Sequence, residues 1–183
     1  MRKLIFGINI TLDGVCDHTK GIVDEEVHDY FTAIMKSVYL LVYGRVTYQL
    51  MVPFWPDVVK HPLPQKSMND FAEAFSALNR VVFSTTIEST DEKTTIIRGN
   101  VEAEILKLKQ QPGGNISTGG VNLASQLIKL GLVDEFHFVV QPIIAGEGRR
   151  MMEGANLAQL FKLKLVASKV FKSGCVALTY VKQ

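Results

Sequence analysis

Apolar runs typical of buried strands alternate with segments of helical periodicity from residue 3 to about residue 130, and this alternation constrains the fold most. Runs such as "SVYLLVYG" and "RVVFST" are apolar at consecutive positions, as in strands that are covered on both faces. From residue 135 onward, strand-like runs follow one another with short connections. We therefore predict an α/β fold with a mixed, mainly parallel sheet, helices on both faces and an antiparallel C-terminal part.

The predicted elements follow from these patterns and from the residues that end them. Strands are predicted at residues 3–12, 37–44, 80–85, 94–99, 115–118, 135–144, 162–172 and 175–182. Helices are predicted at residues 24–36, 45–51, 67–77, 101–110 and 120–130, and Asp24 is the expected N-cap of the first. An irregular connection is predicted after the short helix at 45–51, because prolines punctuate it at Pro53, Pro56, Pro62 and Pro64.

Length, composition and charge indicate a single globular domain spanning residues 1–183. The chain is 47% hydrophobic and 21% charged, and its formal net charge of +2 is dispersed rather than gathered in a stripe. We therefore expect neither a nucleic-acid partner nor a membrane partner. Polar residues interrupt the first apolar run, which favours a strand over a signal peptide. Cys16 and Cys175 have no metal-binding or redox spacing, so we expect free thiols and a cytoplasmic location.

Polar junctions follow predicted strands at the sheet edge where open α/β proteins bind ligands. In "GRVTYQ", Gly44 leaves a strand, and Arg45 and Thr47 open a helix whose free N–H groups favour an anion. In "STT", Ser84 and Thr85 supply hydroxyl groups at the next strand end. A helix cap or a turn also explains each junction taken singly. Their recurrence at successive strand ends favours a ligand that bears phosphate.

Two adjacent glycines, Gly119 and Gly120, form what we call the Gly-Gly junction, between a strand-like run and an amphipathic helix. Such a junction is either a turn or a cradle in which backbone N–H groups meet a phosphate. It is not an ATP-type phosphate loop, because no Lys-Ser/Thr pair follows the glycines, and it lacks the G-x-G-x-x-G pattern. The residues alone leave both interpretations open.

Motifs along almost the whole chain resemble those of the reductase domain of the bifunctional riboflavin-biosynthesis deaminase-reductases, within the dihydrofolate-reductase-like superfamily. The matching segments are "TLDG" (11–14), "YGRVTYQ" (43–49), "VVFSTT" (81–86), "ISTGGVNLASQLIKLGLVDEF" (116–136) and "QPIIAGEGRRMM" (141–152). The resemblance implies a dihydrofolate-reductase-like fold, NADPH as the cofactor, a homodimer, and a stand-alone reductase without the deaminase half.

The resemblance also implies which residues bind the cofactor. Gly44, Arg45 and Thr47 would hold the adenosine and pyrophosphate side of NADPH, and Ser84 and Thr85 would lie by the ribose 2′-phosphate. The pyrophosphate would meet a helix N-terminus formed by Gly119, Gly120, Val121, Asn122 and Leu123. On this interpretation the Gly-Gly junction is a cradle.

The substrate side departs from the family pattern. Thr118 stands where the riboflavin-pathway reductases typically carry Glu before the two glycines. The resemblance implies NADPH-dependent reduction of a pyrimidine- or pteridine-type heterocycle, similar to the reaction of 5-amino-6-(5-phosphoribosylamino)uracil reductase. Dihydrofolate reductase-type activity and a non-catalytic nucleotide-binding module are the alternatives.

Three residues are candidates for the substrate side. Asp13 follows the first strand, where nicotinamide and substrate would meet, and its carboxyl either relays a proton, orients a ring nitrogen or forms a turn. Trp55, in the proline-rich connection, either stacks on a heterocycle or packs on the core. Glu147, with Arg149 and Arg150, either reaches a substrate phosphate or lies in a solvated hairpin loop.

His18, His28 and His137 are not predicted to act in catalysis or metal binding. His137 lies within an apolar strand, so we expect a structural role for it. Asp17, His18 and His28 fit no standard ligand spacing, and hydride transfer requires no metal, so no metal site is predicted.

Overall fold

One mixed sheet of eight strands, flanked by five helices, makes up the described part of the chain. The computed structural model describes residues 1–22, 24–157 and 160–183. The strands are β1 (Leu4–Thr11), β2 (Val38–Gly44), β3 (Asn79–Phe83), β4 (Thr94–Ile97), β5 (Asn115–Thr118), β6 (Glu135–Gln141), β7 (Leu163–Val170) and β8 (Val176–Lys182). The helices are α1 (Glu25–Ser37), α2 (Arg45–Lys60), α3 (Lys66–Ala77), α4 (Val101–Gln110) and α5 (Asn122–Lys129). Within these described ranges, no helix has the length and apolar character needed to cross a membrane.

The strand order is β4-β3-β2-β5-β1-β6-β8-β7. Neighbouring strands from β4 to β6 are parallel, whereas β8 pairs antiparallel with both β6 and β7. This arrangement confirms the predicted fold class, including its antiparallel C-terminal part. Because parallel strands end at one edge, the carboxyl ends of β2, β3 and β5 lie side by side there, which is where a ligand is expected.

Helices cover both faces of the sheet, as predicted. On one face, buried side chains of α4 and α5 pack on the sheet; they include Ile105, Leu123 and Leu127. On the other face, α1, α2 and α3 contribute the buried side chains Ile34, Met35, Tyr48, Val52, Phe71 and Phe75. The side chains of β1 alternate between the two faces of the sheet: Leu4 and Phe6 pack on the first face, and Ile5 packs on the second.

Helix α2 is longer than the sequence predicts. We predict a short helix over 45–51 and then an irregular connection, but the helix continues to Lys60 with Pro53 and Pro56 inside it. Each proline removes one backbone N–H donor, which destabilises a helix interior. The helix persists because Val52 and Val58 are buried, and because Trp55 packs on Phe71 of α3 with ring centroids 4.5 Å apart. Tertiary packing therefore outweighs the local signal.

Two further boundaries differ for local reasons. Strand β6 ends at Gln141 rather than 144, because Pro142 has no N–H and Ile143 N donates back to Gln141 O at 2.8 Å. Helix α5 begins at Asn122 rather than 120, because Gly120 has a φ of 77°, outside the helical region.

The position of Trp55 generates a stability prediction. We expect Trp55→Ala to lower the free energy of unfolding by about 3 kcal/mol, the lower end for truncating a core aromatic, because Trp55 is half-buried. Phe54→Ala is the matched control, since Phe54 is 47% exposed and should cost clearly less. Urea denaturation followed by circular dichroism measures both. Equal losses would contradict the packing role of Trp55.

Candidate functional site

The N-terminus of α2 and the Gly-Gly junction lie in direct contact. A Cβ atom at position 120 would be 2.0 Å from Thr47 Oγ1, and Gly120 also has a positive φ of 77°. A Cβ at Gly44 would lie 3.4 Å from the Cβ of Leu123 in α5. Only glycine at position 120 permits both the backbone conformation and the close approach. A branched side chain at position 120 would therefore disturb the junction itself as well as any ligand.

The four helix N-termini at α1, α2, α4 and α5 fall into two kinds. Asp24 caps α1 by accepting a hydrogen bond from Val27 N at 2.9 Å, which confirms its predicted role, and Asn100 caps α4; acidic residues follow in both first turns. Neither Gly44 before α2 nor Val121 before α5 makes a side-chain cap, and neither first turn contains an acidic residue. The free N–H groups and positive dipole ends of α2 and α5 thus meet at one place, which favours an anion.

Helix α3 also begins without a side-chain cap, but its surroundings differ. A cavity of about 390 Å³ beside its first residues is lined by Asp24 and Glu25 of α1 together with Lys66 of α3. The two carboxyl groups oppose anion binding at that end. The junction of α2 with α5 is therefore the better anion site.

Thr118 places a buried hydroxyl group at the base of the Gly-Gly junction. The residue is 1% exposed, and its Oγ1 has no hydrogen-bond partner among the described residues. Thr118 pairs with Phe6 and Val42, which both face α5, so its side chain lies on the α5 face of the sheet. Buried hydroxyl groups are nearly always hydrogen-bonded, and an unpaired one at a site indicates a missing ligand or water partner.

Ser84 and Thr85 lie beside the start of α2. The register pairs Gly44 with Phe83, so Arg45 and Ser84 follow adjacent residues at the same edge. Ser84 Oγ accepts hydrogen bonds from Thr86 N at 3.2 Å and from Ile87 N at 3.0 Å, so it shapes the turn. Thr85 is exposed and free of this turn's internal bonds.

Arg98, which no sequence motif singles out, also contacts the turn after β3 that contains Ser84 and Thr85. Its guanidinium donates to Ser84 O at 3.2 Å and to Ile87 O at 2.6 Å. It thereby holds the turn after β3 and adds a positive charge beside Ser84. The available signal was its position directly after β4, the strand next to β3.

Asp13 anchors a loop through both carboxylate oxygens. Oδ1 accepts hydrogen bonds from Thr11 Oγ1 at 2.6 Å and from Ala145 N at 3.1 Å, and Oδ2 accepts one from Gly146 N at 2.9 Å. Arg150 Nη2 lies 3.4 Å from Oδ2. The hydrogen bond from Thr11, followed by those from the backbone, holds the pKa of Asp13 far below its usual range. Both carboxylate oxygens of Asp13 are thus engaged by donors, which favours an anchoring role over the proton relay suggested from the sequence.

The "AGEGRR" segment divides its two arginines between different tasks. Arg150 donates through Nε to Asp13 O at 3.0 Å and holds the turn after β1. The guanidinium of Arg149 donates to Asn122 Oδ1, at the first residue of α5. Glu147 accepts a hydrogen bond from Lys20 Nζ through its carbonyl at 3.0 Å, and it lies in the same loop as the Asp13 contacts. The structure therefore brings Asp13 next to the loop that contains Glu147, through the bonds from Ala145 N and Gly146 N.

Two residues lie apart from these contacts. Trp55, predicted to lie in a loop, is on α2 and packs against Phe71 and His28. His137 is held by Tyr30 Oη at 2.6 Å from Nδ1 and by Glu135 Oε1 at 2.9 Å from Nε2, which confirms its structural role.

The hydrogen bonds of Asp13 generate a prediction for stability. We expect Asp13→Asn to lower the melting temperature at pH 7, because an amide NH2 would replace an oxygen that accepts from N–H or O–H donors. Asp17→Asn is the matched control, since among the described residues the Asp17 carboxylate accepts hydrogen bonds within its own turn, from Thr19. Calorimetry measures both variants.

The same loss should depend on pH. The folded-state pKa of Asp13 lies below its unfolded value of about 3.9, so its contribution is present above that pH and lost as the pH falls through the folded pKa. The difference between wild type and Asp13→Asn should therefore shrink below about pH 4. A melting temperature unchanged at pH 7 would mean that the anchor contributes nothing.

Comparison with known proteins identifies the family. The chain is 30% identical to YyaP, an uncharacterized protein of Bacillus subtilis (strain 168), over 98% of this chain and 94% of that one. Its fold is similar to that of a protein from Shewanella sp. PV-4 provisionally named for riboflavin biosynthesis (TM-score 0.75, 20% identity, 99% of each chain). It is also similar to a pyrimidine reductase-like protein from Corynebacterium diphtheriae (TM-score 0.70, 11% identity, 100% of this chain and 92% of that one). Because residues 2–177 match the RibD C-terminal domain, the protein belongs to the RibD C-terminal domain family, the reductase family that its motifs predict.

Proposed function

We propose that this protein is an NADPH-dependent reductase of a pyrimidine- or pteridine-type heterocycle. The observation that carries the proposal is the meeting of two uncapped helix N-termini, those of α2 and α5, at the Gly-Gly junction. Membership of the RibD C-terminal domain family supports a reductase over a non-catalytic nucleotide-binding module.

The residues at this junction fit the pyrophosphate of a dinucleotide. Backbone N–H groups at Gly120 and Val121, with those of the first turns of α2 and α5, supply hydrogen-bond donors without a competing side-chain cap. The glycines leave the backbone open to close approach. The unpaired Thr118 hydroxyl adds a group that a ligand or its water would satisfy.

The selection of NADPH over NADH rests on the groups around the turn after β3. Arg45 is exposed, and its guanidinium contacts only Gln49 Oε1, at 3.1 Å, among the described residues. Thr85 and the guanidinium of Arg98 lie along the same edge. Two guanidinium groups and a free hydroxyl form a suitable site for a ribose 2′-phosphate.

On the substrate side, the chain's contribution is positioning. When bound, NADPH supplies the hydride, and the protein holds an electrophilic ring carbon or imine-like centre near it and excludes water. The bonds that Asp13 accepts join the turn after β1 to the loop after β6, and the proton that completes the reduction comes from solvent or from a group other than this anchoring carboxylate. Thr118 stands where the riboflavin-pathway reductases typically carry Glu. This difference supports a substrate that is related to 5-amino-6-(5-phosphoribosylamino)uracil but not necessarily identical to it.

Oxidation of NADPH with candidate heterocycles tests the proposal. The absorbance of the reduced nicotinamide is followed with ribosylaminopyrimidine phosphates and with dihydropterins, including dihydrofolate. Turnover of the first class supports a riboflavin-type reductase, and turnover of dihydrofolate supports the alternative activity. NADPH binding without turnover of any heterocycle would favour the binding module.

The two cysteines support a cytoplasmic location, which we also propose. Both Cys16 and Cys175 are free thiols, and burial raises the pKa of Cys16. Free thiols persist in reducing compartments.

Arg45 gives the sharpest test of cofactor choice. We expect Arg45→Ala to weaken NADPH binding by roughly 1–3 kcal/mol, because a charge-assisted contact to the 2′-phosphate is lost, and to leave NADH binding nearly unchanged. Fluorescence titration with both cofactors measures this. Equal affinities of the wild type for NADPH and NADH would contradict the assignment.

We further propose a homodimer formed through one sheet face, here called the open face. The open face consists of residues of β6, β8 and β7 that lie on the same side of the sheet as α5. The register pairs Phe138 with Leu178 and Leu165 with Tyr180 on this side. Leu165 is 49% and Val170 72% exposed, and the residues paired with them are half-buried. A continuous apolar face of this kind marks an interaction site, and a second copy offers a self-complementary partner.

Light scattering at micromolar concentration tests the dimer. We expect the wild type to show twice the 20.4 kDa mass of one chain, and Val170→Lys to shift it to the monomer by placing a charge on the open face. Val59→Lys on α2 is the matched control, since Val59 is 44% exposed and lies outside the open face. A monomeric wild type would overturn the proposal.

A further inference from the structure

The loop after β6 is fixed to the rest of the molecule before Arg149 and at Arg149 itself. Before it, Ala145 N and Gly146 N donate to the Asp13 carboxylate. At the residue itself, Arg149 O accepts from Cys16 N at 2.8 Å. A Cβ at Gly148 would lie 2.7 Å from Val15 Cγ1, so the backbone before Arg149 also packs tightly. The main chain of Arg149 is thus held in place although its side chain is exposed.

The side chain of Arg149 extends from this fixed loop to the N-terminus of α5. Its guanidinium donates to Asn122 Oδ1, and Asn122 is the first residue of the helix, directly after Val121. A cation at a helix N-terminus is unfavourable by itself, because that end already has a positive dipole. An anion bound between the guanidinium and the helix end removes this conflict.

We propose that Arg149 is a further cofactor-binding residue, which holds the pyrophosphate of the dinucleotide at the N-terminus of α5. The proposal rests on the proposed function and extends it to a residue in the loop beyond β6. Besides the side-chain contact, the hydroxyl of Thr118 at the base of the same junction is buried and unpaired among the described residues, so a ligand or its bound water would satisfy it. Arg149 would thereby connect the cofactor to the loop that Asp13 anchors.

The position of Arg149 favours the cofactor over a substrate phosphate. The neighbouring Arg150 is engaged with Asp13 O and Oδ2, so of the two arginines it is Arg149 that reaches α5. Because the pyrophosphate is common to NADPH and NADH, Arg149 should act on both cofactors. Arg45 should act on NADPH alone.

Titrations of NADPH, NADH and adenosine 2′-phosphate against four proteins test the proposal. Arg149→Ala should weaken binding of both dinucleotides about tenfold to a hundredfold and leave adenosine 2′-phosphate unaffected, because that probe has no pyrophosphate. Arg149→Lys should recover part of the loss, since it keeps the charge without the planar fork. Lys129→Ala is the control, because it removes an exposed charge from the opposite end of α5.

The outcomes separate this inference from the proposed function. If the wild type binds both dinucleotides and Arg149→Ala binds them equally well, the role of Arg149 is overturned and the reductase proposal stands. If Arg149→Ala raises only the KM of a phosphorylated heterocycle, Arg149 serves the substrate instead, which also overturns it. A wild type that binds no dinucleotide would overturn both.

Discussion

The close approach of Gly120 to Thr47 is the contact on which the candidate site depends. It is possible because β5 lies beside β2, so that the helices that follow these two strands start next to each other. A side chain at position 120 would push the two helix ends apart. The absence of a Cβ therefore does more than free the backbone: it determines the distance between two positive dipole ends. Arg45 is the first residue of α2, and the guanidinium of Arg149 reaches Asn122, the first residue of α5.

Asp13 illustrates how one residue can organise the loops of a candidate site through its hydrogen bonds. Its carboxylate gathers donors from the turn after β1 and from the loop after β6. The depressed pKa is a consequence of these bonds, since each of them stabilises the ionised form. The loop that results brings Arg149 to α5. The position of the Arg149 guanidinium at the candidate anion site therefore depends on the carboxylate of Asp13, which follows the end of β1.

The fold and the strand-to-helix junctions of the candidate site were predictable because their signals are local. Strand and helix periods, the strand-to-helix junctions at Gly44 and Gly120, and the cap at Asp24 each depend on a few neighbouring residues. The course of α2 was not predictable, because it depends on Trp55 meeting Phe71 of another helix. The bonding of Asp13 and the reach of Arg98 and Arg149 likewise involve partners far away in sequence. Hydrogen bonds between residues that are distant in sequence cannot be recognised from the local sequence around either residue.

Binding of an anion at the uncapped ends of α2 and α5 would also stabilise the fold. Both helices pack on the centre of the sheet, so an anion that satisfies their free N–H groups is also a stabiliser of the native state. A ligand that binds only the folded form contributes about 2.7 kcal/mol at a concentration one hundred times its Kd. The amount of folded protein that escapes proteolysis in a cell would then rise and fall with the supply of that ligand. The glycine contact that brings the two helix ends together would then make the lifetime of the protein depend on the ligand that binds there.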